Sequence, residues 1–77
     1  MLLRMNPVDP KKLLLSKWTA VTPANKEKHF VVTAVVAPEI DGAAPEWIDL
    51  EAVHSGRSQR IAWRALRESA VWRQGWV

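Results

Sequence analysis

The sequence predicts a small all-β fold: a curled sheet or barrel of four to five strands, SH3-like in plan, with a helical turn before the C-terminal strand. Three observations carry this expectation. Lys28–Ala37 holds five β-branched residues, Val31, Val32, Thr33, Val35 and Val36, side chains that suit a pleated surface. Glu46–His54 alternates, with Ile48, Leu50 and Ala52 on one side and Trp47, Asp49 and Glu51 on the other, the period of a half-buried strand. The order of elements is a strand, a long loop, a three-strand meander, a helical turn and a terminal strand, which is an SH3-like plan and by itself says nothing of function.

The elements follow in order. Residues 1–15 read as an N-terminal arm or helical turn, and residues 16–77 as a single small β domain. Two prolines in Asn6-Pro7-Val8-Asp9-Pro10 fix φ and disfavour helix before them. Asp9-Pro10 could equally serve as N-cap and first residue of one helical turn through Leu15. Ser16–Val21 alternates as a first strand, with Lys17 and Thr19 opposed to Trp18 and Ala20. Thr22–Glu27 is a polar loop. Lys28–Ala37 places Phe30, Val32, Ala34 and Val36 on one face and Val31, Thr33 and Val35 on the other. Two apolar faces suit a central strand covered on both sides. Pro38 ends it, and residues 41–45 form a loop.

Glu46–His54 and Ser58–Trp63 read as a hairpin around a two-residue Ser55-Gly56 loop. That register sets Leu50 against Ile61, Ile48 against Trp63, Glu51 against Arg60 and Trp47 against Arg64. A slip of one residue would mix apolar and charged faces. Arg64–Ser69 has helix formers and no β-branched residue, hence one helical or 3-10 turn. Val71–Trp76 is a last short strand or tail, in which Gly75 permits positive φ between two indoles.

Four stretches belong together: Ser16-Lys17-Trp18-Thr19-Ala20-Val21, Glu27-Lys28-His29-Phe30, Leu50-Glu51-Ala52-Val53, and Trp63-Arg64-Ala65-Leu66 followed by Trp72 and Gly75-Trp76. In combination they resemble a family of small tryptophan-rich bacterial proteins, a domain of unknown function. The resemblance runs from about Asn6 to the C-terminus. It implies a single-domain bacterial protein and brings no catalytic residue, ligand or partner with it.

The 77 residues allow one domain, and 48% apolar with 25% charged residues is a globular composition. Without cysteine, disulfides, thiolate catalysis and Cys-based zinc sites are excluded. Met1–Met5 is too short for a signal peptide, and Met5 could be an alternative start. The longest apolar stretch, Phe30–Ala37, is far below the ~20 residues that cross a bilayer as a helix. The expectation is a cytoplasmic protein with no membrane partner.

Charge is segregated. Residues 1–28 carry six Lys or Arg against Asp9 and Glu27, residues 29–56 carry five carboxylates and no Lys or Arg, and residues 57–77 carry five Arg against Glu68. The net charge is +3. Five Trp, one Phe and no Tyr make the aromatic content unusual. Trp63 is expected in the core, and Trp18 either in the core or as a platform.

No set of residues supplies nucleophile, base and oxyanion donors, so no enzyme is expected. His29 and His54 lack metal-ligand spacing, and neither metal nor cofactor is expected. Asp49 and Glu51, two apart on one face, read as ion-pairing groups beside Arg60. What remains is a surface of Lys17, Lys28, Arg57, Arg60, Arg64, Arg67 and Arg73 for phosphate, with Trp47 or Trp72 for stacking. It suggests a binder of RNA or single-stranded DNA. The same Trp and Arg composition suits a larger protein partner, with the acidic stretch 39–51 steering charge.

Overall fold

The computed structural model describes residues 5–77. Its strands are β1 (Lys17–Ala24), β2 (Glu27–Val35), β3 (Trp47–Ala52), β4 (Ser58–Ala62) and β5 (Trp72–Gln74), with 3-10 turns at Pro10–Lys12 and Trp63–Arg67. Every recorded pairing is antiparallel, and the strands form one open sheet in the order β4-β3-β2-β1-β5. The all-β expectation holds, and β2 is central in the sheet, but only one of its faces is covered: Phe30 and Val32 are buried, whereas Thr33 on the other face is exposed. Met1–Arg4, and with them the matter of an alternative start, lie outside the described residues.

The first turn is capped as its sequence suggests. Asp9 accepts a hydrogen bond from the Lys11 amide at 2.9 Å, and Pro10 opens the turn. It stops at Lys12 because the next residues are used by the sheet. Leu13 is buried, and the Leu15 amide donates to the Val32 carbonyl at 2.8 Å. Val32 in turn donates to Ser16. The segment from Leu13 to Ser16 is therefore tied to the sheet, with Leu13 as its buried anchor.

β1 runs past Val21 to a tight turn at Asn25 and Lys26, both at positive φ (55° and 62°), the geometry that matches strand twist in a hairpin. The segment from Thr22 is thus mostly strand where a loop was expected. Pro23 is tolerated there because β5 pairs only with residues 18–20 of β1, which leaves β1 an edge at Pro23.

A bulge between Val32 and Ala34 changes the parity of β2. Val35, opposite Ile48, therefore packs against the core, in place of the Ala34 and Val36 that strict alternation puts there.

The β3–β4 register differs from the expected one by two residues. Ile48 faces Ile61, Leu50 faces Gln59, Asp49 faces Arg60, Glu51 faces Ser58 and Trp47 faces Ala62. The two-residue loop is replaced by residues 53–56. It is closed by Ala52 N–H to Arg57 O at 2.9 Å and Gly56 N–H to Ala52 O at 2.8 Å, with Gly56 at φ 74°. A slip of two keeps every side chain on its face, so alternation does not discriminate between the two registers. The longer loop also lets Arg57 reach Glu27.

The core lies on one face of the sheet. Trp18, Phe30, Val32, Ile48, Leu50 and Ala52 are buried there. Leu13 covers them from the arm, Trp63 and Leu66 from the second 3-10 turn, and Trp72 from β5. Trp63 is thus a core residue, as expected, but from the turn and not from a strand. Its indole N–H donates to the Pro45 carbonyl at 2.9 Å. The Asn6 amide donates to the carbonyls of Leu66 (2.8 Å) and Trp72 (2.7 Å), clipping the arm to the far edge. Among the described residues, no helix is long and apolar enough to cross a membrane.

Candidate functional site

The opposite face of the sheet carries the polar pattern. Cross-strand pairing places Lys17, Val31, Glu51 and Ser58 in one row across four strands, and His29, Thr19 and Arg73 in another. The last three residues fold over this second row. Gly75, at φ 78°, turns the chain and donates its N–H to Lys17 O at 2.7 Å. Thr19, nearly fully buried, donates its hydroxyl to Gly75 O at 2.6 Å and accepts from Val77 N at 3.1 Å.

Trp76 is held by this arrangement. Its indole N–H donates to Phe30 O at 2.9 Å, its ring lies 5.8 Å from that of His29, and Lys17 Nζ sits 4.8 Å from its centroid. His29 Nε2 and Val77 O are 3.0 Å apart. The ring nevertheless remains 43% exposed. Lys17, His29, Arg73 and Trp76 thus share one patch of β1, β2 and β5: two cations, an imidazole and an indole fixed by its own hydrogen bond.

The remaining candidates fall elsewhere. Lys28 is exposed near the β1–β2 hairpin tip. Arg57 grips the nearly buried Glu27 through both Nε, at 3.1 Å, and a terminal nitrogen, while Ser55 Oγ donates to the same carboxylate at 2.5 Å. Hydrogen bonds from Arg57 and then Ser55, against a cost of burial, hold the Glu27 pKa down at about 2. Hydrogen bonding to Glu27 raises that of Arg57. Arg57 is therefore a clamp between the two hairpin tips. Arg60 is bound in a fork by Asp49, Nε to Oδ1 at 2.9 Å and the second nitrogen to Oδ2 at 3.2 Å. The bond lowers the Asp49 pKa and raises that of Arg60. The expected Glu51–Arg60 pair is thus replaced by Asp49–Arg60.

Arg64 and Arg67 are exposed on the second 3-10 turn, and the Arg64 guanidinium lies 5.1 Å over the Trp63 ring. Arg64 is neither on β4 nor opposite Trp47. Trp72 is buried, with its ring edge-on to Phe30 at 5.1 Å and 89°, so it offers no stacking face. Trp47 is exposed at the other end of the polar face. Sequence reasoning left Trp76 and His29 out of the site. The signal available was Gly75 between two indoles, which lets the tail turn back. Among the described residues, no group of three or more His, Asp or Glu side chains is placed to hold a metal ion.

The model of a tryptophan-rich protein family of unknown function, DUF2389, matches residues 16–77. The chain belongs to this family. The matched stretch of this DUF2389 protein contains all five Trp, both those of the core and those of the polar face. Leu13 and Asn6 precede it and still pack on the domain. No curated protein and no solved structure matches the chain significantly.

Proposed function

We propose that this protein is a bacterial, cytoplasmic, SH3-like β module that binds single-stranded nucleic acid, RNA or DNA, on the polar face of its sheet. The observation that carries the reading is the patch of Lys17, Arg73 and the half-exposed Trp76. A fixed indole is a stacking platform, worth about 1–3 kcal/mol per base, and adjacent cations attract the phosphates. The connectivity supports the SH3-like reading: a meander of four strands, a 3-10 turn, and a fifth strand returning to β1.

Lys17 and Arg73 are the cations of the patch, because Arg60 on the same face is held by Asp49. Two phosphate contacts give a log–log salt slope of about −1.4, from about −0.7 per contact. The test is fluorescence anisotropy of a labelled oligo-uridine and an oligo-thymidine at low and moderate salt. Trp76→Ala is expected to weaken binding about 5- to 150-fold, the range that the stacking energy corresponds to. Lys17→Glu with Arg73→Glu is expected to abolish it, and Trp72→Phe to leave it unchanged. Folded protein that binds neither strand at low salt refutes the proposal and leaves a protein partner as the better reading.

A further inference from the structure

The end of the sheet away from the hairpin tips holds a second surface of opposite character. The connection from β2 to β3 borders a groove of about 540 Å³ whose lining includes the apolar Val36, Pro38, Ile40, Ala43, Ala44 and Trp47 and the charged Glu39, Glu46 and Arg60. The base of this connection is pinned. Val36 N–H bonds Trp47 O at 2.9 Å, Trp63 N–H bonds Glu46 O at 3.0 Å, and the Trp63 indole bonds Pro45 O at 2.9 Å. Ile40 at 74% and Trp47 at 46% exposure leave its apolar walls open to water.

The charge of the lining is one-sided. Arg60 is neutralised by its fork to Asp49. Glu39, Glu46 and the neighbouring Asp41 have no ion pair among the described residues. An apolar trough with an exposed indole and unpaired carboxylates is complementary to a side chain with an aliphatic stem and a cationic head. We infer that this groove is a docking site for a basic peptide segment of a partner protein, one in which Lys or Arg alternates with an aliphatic residue. The stem lies along Trp47 and Ile40, and the head reaches Glu39 and Glu46. Nucleic acid is repelled from this end, so the two surfaces can be occupied independently.

The probe is a fluorescein-labelled hexapeptide Gly-Lys-Leu-Arg-Leu-Gly, compared by anisotropy with the same peptide carrying Glu in place of Lys and Arg, on the full chain at low salt. The basic peptide is expected to bind and the acidic one not. Glu39→Lys with Glu46→Lys is expected to weaken binding at least tenfold, and Trp47→Ala several-fold. Glu51→Lys, on the open sheet face, is expected to change it little, as is the Lys17→Glu, Arg73→Glu pair that tests nucleic-acid binding. Circular dichroism checks each fold, and Trp47→Phe, which keeps the ring, is expected to retain most of the affinity. Absence of binding at low salt, equal binding of the acidic peptide, or indifference to the Glu39/Glu46 reversal overturns the inference. So does salt-sensitive self-association in sedimentation that the same reversal abolishes, which would assign the groove to a second copy of the chain.

Discussion

Leu13→Ala is the perturbation that best tests how the domain is held together. Leu13 precedes the stretch shared with the family, yet it is 1% exposed in the core. Its carbonyl accepts from the Ser16 amide at 3.0 Å and from Ser16 Oγ at 2.6 Å, and the same Oγ accepts from the Trp18 indole at 2.9 Å. The side chain therefore sits under a locally fixed backbone, which cannot readily close over a cavity. Truncating a buried Leu to Ala costs about 2–5 kcal/mol. A 77-residue domain has a total stability of about 4–12 kcal/mol, at about 0.05–0.15 per residue. The substitution thus removes a large share of the whole. With a urea m-value of about 1 kcal/mol/M for so small a chain, the midpoint falls by about 2 M or more. Neighbouring Leu14, at 57% exposure, is the control, and Leu14→Ala is expected to shift stability by no more than about 0.5 kcal/mol. Urea unfolding followed by Trp fluorescence and far-ultraviolet dichroism reads both. A Leu13→Ala midpoint equal to that of Leu14→Ala would refute the packing role assigned to the arm.

Trp63→Ala is expected to cost about 3–5 kcal/mol and to lower the melting temperature steeply, whereas Trp63→Phe retains most of the packing and loses the bond to Pro45; a melting temperature barely shifted by the alanine variant would remove Trp63 from the core. Glu27 gives the acid limb of the pH profile. Its carboxyl titrates near 4.5 when free and at about 2 in the folded chain, so the unfolded state binds the proton first and stability falls as pH drops from about 5 toward 2. Glu27→Gln flattens that limb in melting temperatures measured across pH, and an unchanged limb would show that other carboxyls set it.

The sheet was legible where burial dictated side-chain type. The β-branched run at residues 31–36 marked the central strand, and Ile48, Leu50 and Ala52 lie inward as their alternation requires. Register was not legible, because apolar and polar residues repeat every two positions and the pattern looks identical after a slip of two. The contact of Glu27 with Arg57, which accompanies the observed register, joins two hairpins and leaves no trace in local sequence. Trp72 and Trp76 posed the same difficulty. Both flank Gly75 in a short tail, yet Asn6 anchors the chain at Trp72 over the core while Phe30 O captures Trp76 on the other face. Those partners come from distant parts of the chain, so composition alone could not sort the buried indole from the exposed one.

The brevity of β5 bears on how any ligand would act. β5 has three residues and pairs with β1 alone, whereas β1 to β4 are joined as successive hairpins. Its pairing closes a loop of most of the chain, which is entropically dearer than a hairpin. Such an edge can detach while the meander stays intact, at a lower free energy than global unfolding. Arg73 and Trp76 leave with it, whereas Lys17 stays on β1. A molecule that touches both Lys17 and Trp76 would therefore act as a staple across that seam, and the patch would exist as a binding surface only in the zipped form.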